Sequence, residues 1–385
     1  MTAEPTTTSA SGPAQDGPAS VPTLADLTTL RVGGPAARYV ETATEAELID
    51  AVRTADEAGE PLLVVGGGSN LLVADEGFDG VVVRDVRTGI EVPDHSACAG
   101  VTYQLPAGQP WDEVVAFAGE HRLYGIEALS GIPGSVGAAP VQNIGAYGQE
   151  VAQTIASVRT WDRARGRVRT LALSDLQLSY RSSLLKRSMR AAPSDEDPGA
   201  PWWPTPRYVV LDVTLQLRQG TLSAPIAYAE LARTLGVELG ERAPLADVRA
   251  AVLSLRAGKG MVLDWADHDT WSAGSFFTNP LLTPEQAAQL PPDAPRFPLP
   301  DDGARDGVPG GVKTSAAWLI DHAGFAKGFG HGPARLSGKH VLALTNRGGA
   351  TAADLLALAR TVRDGVARRF GVVLEPEPVL VGAAL

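Results

Sequence analysis

The sequence predicts an α+β protein of two packed units, and three observations carry that expectation. The chain has 385 residues, more than one hydrophobic core usually serves. Its first part reads as strand, helix, strand, glycine-rich loop and strand, an order found in α+β and α/β units. Its second part reads as helices bracketed by short strands, with no internal repeat.

The elements follow in order. Residues 1–24, rich in Thr, Ser, Ala, Gly and Pro, read as an unstructured tail, with order beginning near Leu24. Residues 38–41 read as a short strand, and 44–58 as an amphipathic helix with Leu48, Ile49, Val52 and Ala55 on one face. Thr44 suits its N-cap, Glu47 completes a capping box, and Gly59 stops it. An apolar strand at 61–65 runs into GGGSN at 66–70, and after a turn at Gly77 a further strand covers 81–83. A helix is expected at 111–121, then a long glycine-rich stretch at 130–148, and an irregular Pro- and Trp-containing surface loop at 188–206. A strand at 208–217 closes a first unit, 25–219; the second unit, 220–385, should carry helices at 244–258, 315–323 and 351–370. Strands are expected at 341–345 and 372–375, with the last strand returning to the first unit.

Composition bounds the function. Hydrophobic residues make up 44% and charged residues 20%, an ordinary globular balance. The net charge of −11 argues against nucleic acid and anionic lipid as partners, yet leaves room for an anionic small molecule held by a few cations in a cleft. With one cysteine, Cys98, no intrachain disulfide can form, and the six histidines show no pair at metal-ligand spacing on one helix, so no metal is expected. No basic start followed by an apolar run is visible, and no apolar stretch approaches the roughly 20 residues a membrane span needs. An intracellular, cytoplasmic monomer is the expectation.

Two loops carry the chemistry. In 66–70, glycines let the backbone approach an anion closely, and successive N–H groups form a concave anion site that Ser69 and Asn70 can supplement. The spacing is neither G-x-G-x-x-G nor a Walker A loop, and a tight strand connection would also explain it. The stretch 130–148 (SGIPGSVGAAPVQNIGAYG) cannot be a regular helix or central strand, while Ile132, Val136, Val141, Ile144 and Tyr147 argue against disorder. A loop wrapped around a large planar ligand fits it; so does an Ω-loop packed on itself.

Those two motifs, with TLRVGGPA at 29–36, YRSSLLK at 180–186, SAGSFFTNP at 272–280, KTSAAWLIDHAGFAKG at 313–328 and FGVVLEPEPVLVG at 370–382, resemble the UDP-N-acetylenolpyruvoylglucosamine reductases in order along nearly all of the chain after residue 27. The resemblance implies a two-part FAD-binding domain of the vanillyl-alcohol-oxidase/p-cresol-methylhydroxylase type and a C-terminal α+β substrate-binding domain. It implies an NADPH-dependent reduction, through bound FAD, of the enolpyruvyl ether of UDP-N-acetylglucosamine to UDP-N-acetylmuramate in peptidoglycan synthesis. Tyr228, in APIAYAEL, is similar to the tyrosine of a substrate-covering loop in the family's first type.

Residue by residue, the resemblance places the FAD diphosphate on Gly66, Gly67, Gly68, Ser69 and Asn70. It sets the flavin ring against Ile132, Pro133, Gly134, Ser135, Gly137, Gln142, Asn143, Gly145, Ala146 and Tyr147. Arg181 is the expected cation for a dianionic intermediate, because a guanidinium grips a carboxylate at two points. Ser275 matches the family's proton donor, and a hydroxyl in that role needs a strong acceptor. Glu377 matches a carboxyl beside the same centre, either protonated or acting through a hydrogen bond, with Glu375 as competitor. Tyr228, Lys259, Asn279 and Lys313 match positions that hold the UDP part, and Tyr180, beside Arg181, is a further substrate-binding position. The stretches 188–206 and 331–340 depart from the family pattern and are expected to lie away from the chemistry. Two other readings stay open: another oxidoreductase of the same flavin fold, with His95 and Cys98 lying outside the flavin loops and so favouring non-covalent flavin, or a non-catalytic scaffold of cell-wall enzymes.

Overall fold

A computed structural model describes residues 21–96, 100–195, 197–299, 308 and 310–385; the tail up to residue 20 and Cys98 lie outside them. The expected α+β class is what forms, built on two sheets in the first half and a helical C-terminal layer. A short helix, Leu24–Leu27, opens the described chain.

The first sheet is parallel, in the order Ala36–Thr42, Phe78–Asp85, Leu62–Val65. Helix Glu45–Ala58 joins two of its strands. Its N-terminus is the predicted capping box: Thr44 Oγ1 accepts from Glu47 N (3.2 Å), and Glu47 Oε2 accepts from Thr44 N (3.0 Å). Gly59 ends it in the left-handed region, at φ +66°. Leu48, Val52 and Ala55 bury against Leu62, Val81 and Val83, and against Trp161, Val209 and Leu211 of the second sheet. The helix thus seals one sheet to the other.

The second sheet is antiparallel: Arg167–Ala172, Ile155–Asp162, Tyr208–Gln219, Gly100–Pro106, Glu91–Ser96, with Leu123–Tyr124 also pairing onto the long strand. Helix Trp111–Glu120 covers it through Trp111, Val114, Val115 and Ala118.

The C-terminal layer centres on Ala352–Phe370, whose Leu355, Leu358, Ala359, Val362 and Val366 pack with Leu319 and Ile320 of Ala316–His322. That core also takes in Leu30, Val32 and Leu72 from the start of the chain. Strand Val379–Val381 pairs in parallel with Leu71–Val73. Helix Leu245–Gly258 and the shorter Ala229–Leu235 bury Val248, Val252 and Leu231 beside Ala128 of the first half. No helix of the described residues is long and apolar enough to cross a membrane.

Three expectations need correction. Residues 372–375 are not a strand, since no neighbour offers them a ladder; the pairing falls on Val379–Val381 instead. The strand expected at 341–345 is shifted to Leu344–Asn346, where Ala334–Leu336 supplies its partner. The 188–206 loop is irregular as expected but is not simply a surface loop. Thr205 is buried, its Oγ1 accepting from Val64 N (2.8 Å), and Arg207, the first residue past the loop, pairs with Asp162 (2.7 Å) and Asp197 (3.1 Å).

Candidate active site

The strand Leu62–Val65 stops at its carboxyl end in loop 66–70, where an open parallel sheet commonly binds ligands. Glycine is a steric requirement here. A Cβ on Gly67 would lie 2.6 Å from Gly134 Cα, and one on Gly68 would lie 1.8 Å from Leu27 O at φ +61°. The two glycine segments therefore touch backbone to backbone. Among the described residues none accepts a hydrogen bond from the backbone N–H of Gly67, Gly68, Ser69 or Asn70. Four clustered donors without protein acceptors fit the oxygens of a diphosphate. The Ser69 and Asn70 side chains behave otherwise than expected: Ser69 Oγ donates to Pro133 O (3.0 Å) and Asn70 Nδ2 to Glu377 O (3.4 Å), so they fasten the loop to its neighbours.

The 130–148 stretch is anchored by Val136 N to Gln109 O (2.9 Å) and Gly137 N to Ala107 O (2.9 Å). It contains one four-residue helix, Ala139–Gln142, which Asn143 ends in a left-handed conformation at φ +48°. Buried Asn143 donates from Nδ2 to Glu150 (3.0 Å) and to Ser179 O (2.9 Å), tying the loop to the segment that carries Arg181.

Both loops wall one cleft of about 520 Å³. Every flavin position expected from the sequence lines it except Asn143, which sits behind the wall. Arg181, Ser275 and Glu377 line it too, from three separate segments. Ser275 and Glu377 are brought together by a bridge between Phe277 and Pro376 and by Glu377 N donating to Phe276 O (2.8 Å). Arg181 stands at φ +52°. It donates to Asn143 O (3.4 Å) and Gly145 O (3.1 Å), and its Nε lies 3.1 Å from Glu377 Oε1 without making a directed hydrogen bond. A guanidinium has five N–H donors, so these two bonds leave donors for an anion.

The expected substrate residues divide. Tyr228 and Lys259 line the cleft; Tyr180, Asn279 and Lys313 form a cluster beside it. Asn279 N donates to Tyr180 Oη (3.4 Å), Lys313 Nζ sits 4.6 Å from the Tyr180 ring centre, and the Asn279 carboxamide accepts from Ala316 N (3.0 Å). Burial pushes the Tyr180 phenol up, against the Arg181 charge. Tyr228 is exposed and meets Tyr147 edge-on at 5.5 Å. Lys259, the C-cap of Leu245–Gly258, is 2.6 Å from Glu230; burial would lower its pKa, but the Glu230 hydrogen bond helps hold it above the usual value.

Sequence reasoning missed several wall residues. Lys186 lies inside the YRSSLLK motif without having drawn a role. Arg256, three residues before Lys259, is buried with its Nε unpartnered, and burial lowers its pKa. His340 lines the cleft, and burial, then the charges of Lys259 and Lys327, push its imidazole down to about 4. Met189, Pro204, Thr205 and Pro206 line it as well, so neither 188–206 nor 331–340 lies wholly away from the site. The reason is topological. The chain must reach Tyr208 alongside Val64, and that path passes the glycine loop.

Comparison with known proteins agrees with this architecture. A family model described as FAD binding domain matches residues 36–172, and one described as UDP-N-acetylenolpyruvoylglucosamine reductase, C-terminal domain, matches 266–381. The chain is 53% identical to the UDP-N-acetylenolpyruvoylglucosamine reductase of Cutibacterium acnes, over 94% of this chain and 90% of that one. It is 51% identical to the reductase of that name from Thermobifida fusca, over 94% and 97%. Among solved structures it is similar to the UDP-N-acetylenolpyruvylglucosamine reductase of Thermus caldophilus, at 27% identity and a TM-score of 0.59, covering 93% of this chain and 97% of that one. A two-part FAD-binding half with a reductase C-terminal domain, four free backbone donors in a glycine cradle and matches of this length lead to one conclusion: the chain belongs to the UDP-N-acetylenolpyruvoylglucosamine reductase family.

Proposed function

We propose that the chain reduces UDP-N-acetylglucosamine enolpyruvate to UDP-N-acetylmuramate with NADPH, as a first-type member of its family, in the cytoplasm and in the service of peptidoglycan synthesis. The observation that carries this reading is that Arg181, Ser275 and Glu377, from three segments, line the cleft walled by both glycine loops.

FAD, when bound, supplies the two-electron chemistry, carrying reducing equivalents from NADPH to the substrate double bond. The N–H groups of 67–70 would hold its diphosphate, and Ile132, Pro133, Gln142 and Tyr147 would shield its ring from water. Saturating the double bond also needs a proton on the carbon that bears the carboxylate. Ser275 supplies it, and the growing negative charge beside the carboxylate is the strong acceptor that lets a hydroxyl act as an acid. Arg181 grips that carboxylate with its remaining donors, fixed in place by two backbone carbonyls, so little reorganisation is required as charge builds. Glu377, accepting from Gln142 Nε2 (2.9 Å), holds the Arg181 side chain in position. Lys259 and the Tyr180, Asn279 and Lys313 cluster take the nucleotide part, with Tyr228 closing over it. The unit boundary near residue 220 and a monomeric state belong to the same reading.

The test is a two-stage absorbance experiment without oxygen. NADPH should bleach the flavin of the wild-type protein, and the enolpyruvyl sugar nucleotide should restore its colour. Ser275→Ala should bleach normally and recover roughly 10²–10⁴-fold more slowly, the range expected for loss of a general acid. Recovery at the wild-type rate in Ser275→Ala would remove Ser275 from the reaction.

A further inference from the structure

Lys186 sits in the short helix Leu184–Ser188, whose N-cap Ser183 accepts from Lys186 N through Oγ (3.0 Å). Its side chain turns inward to the cleft wall, half-buried. There Nζ donates to two acceptors, Gln142 Oε1 at 2.8 Å and Arg181 O at 3.2 Å.

Each contact fixes something downstream. A carboxamide has an accepting end and a donating end. With its oxygen on the Lys186 ammonium, Gln142 must present Nε2 to Glu377 Oε1, which it does at 2.9 Å. The reverse orientation would set NH₂ against an ammonium and a carbonyl against a carboxylate, repelling at both ends. The second contact holds the carbonyl of Arg181, a residue whose φ of +52° is unfavourable for any residue that carries a Cβ and needs external support. That backbone posture aims the guanidinium at Glu377, 3.1 Å away. The contacts close a ring: Lys186 to Gln142 to Glu377 to Arg181 and back to Lys186.

We propose that Lys186 is a positioning residue for the reaction, one ammonium that sets both arms, Gln142 and Arg181, converging on Glu377. The proposal rests on the functional reading above. It adds an electrostatic consequence: two cations and one carboxylate leave the ring with an excess positive charge facing an anionic substrate. Burial lowers the Lys186 pKa while the charge of Glu377 opposes that shift, and Arg181, Arg190 and Glu375 also act on it.

The experiment is a double-mutant cycle of Lys186→Met and Gln142→Leu on flavin-loaded protein, reading bleaching by NADPH and re-oxidation by the enolpyruvyl sugar nucleotide separately. Lys186→Met should slow re-oxidation by about 10- to 100-fold, as expected when reacting groups are misplaced, and by at least about tenfold more than it slows bleaching. In the Gln142→Leu background the same substitution should slow re-oxidation by a smaller factor than it does in the wild-type background, because the Gln142 arm is already broken and only the hold on the Arg181 carbonyl is left to lose. Re-oxidation of Lys186→Met at full rate, or effects that multiply in the double variant, would overturn the role. Should Lys186→Met lose its flavin, Lys186→Gln, which keeps an N–H donor, replaces it in the same cycle with the same criteria. Wild-type protein that NADPH does not bleach would instead sink the functional reading, and this inference with it.

Discussion

The cleft has two kinds of wall. One, loops 66–70 and 130–148, is built from backbone. Its donors are main-chain N–H groups, and its shape is set by glycines that lie against other backbone. The other, where Arg181, Lys186, Lys259, Ser275, His340 and Glu377 stand, is built from side chains delivered by distant segments and held by one another. The first suits a resident cofactor, because backbone donors cost no rotamer entropy and cannot titrate. The second suits ligands that enter and leave, because cations and hydroxyls can change partners. Lys259 already holds Glu230 as a replaceable counter-ion.

The hardest way to break this contrast is to put a side chain into the backbone wall. In Gly68→Ala the new Cβ would lie 1.8 Å from Leu27 O at a φ of +61°, so backbone itself would have to move. Flavin retention should fall by roughly 100-fold or more, equivalent to about 3 kcal/mol of strain and displaced backbone. A Gly68→Ala protein that purifies with a full complement of flavin would show that the wall is looser than its geometry.

A smaller effect, separating the walls by pH, comes from His340. The backbone wall has no group that titrates below neutrality, whereas the His340 imidazole is pushed down to about 4. Between that value and an unfolded value of about 6.5, the unfolded chain binds the extra proton, so stability rises with pH across the window and is lost as pH falls through it. The loss is on the order of 3 kcal/mol at most. Urea midpoints measured from pH 7 to pH 4 should fall less steeply for His340→Gln than for wild type; parallel curves would show that His340 does not contribute.

The mildest test addresses the solvent-facing side of the side-chain wall. Tyr228→Phe removes one hydroxyl from an exposed ring packed on Tyr147. It should raise the KM for the sugar nucleotide by several-fold, about 1 kcal/mol for one hydrogen bond, while changing reduction by NADPH less. An unaltered sugar-nucleotide KM would show that the hydroxyl makes no contact with that ligand.

The same contrast explains what could be read from the sequence. The Thr44–Glu47 capping box and the Gly59 stop were legible because every partner lies within a few residues. The glycine loops were legible because glycine and proline restrict the backbone wherever they occur. Lys186 was not, though it sits in a recognised motif: one partner, the Arg181 carbonyl, is local, but the contact that links it to Glu377 runs through Gln142, 44 residues away. His340 and Pro204–Pro206 were assigned away from the site for the same reason, since nothing local says that the chain passes the cleft there. The strand expected at 372–375 failed in the opposite direction. An apolar run beside Gly371 satisfies a local rule, but a strand needs a neighbour, and the available edge, Leu71–Val73, was taken by Val379–Val381.

That late pairing bears on how the protein is made. Glu377 and the strand behind it are translated long after the segment they dock against, Asn70 and the strand Leu71–Val73. During synthesis the first half can collapse on its own sheets long before its edge at Leu71–Val73 is covered. Until that distant segment emerges, the nascent chain carries an incomplete cleft and an open edge, a long-range closure of the kind that folds slowly and invites off-pathway pairing.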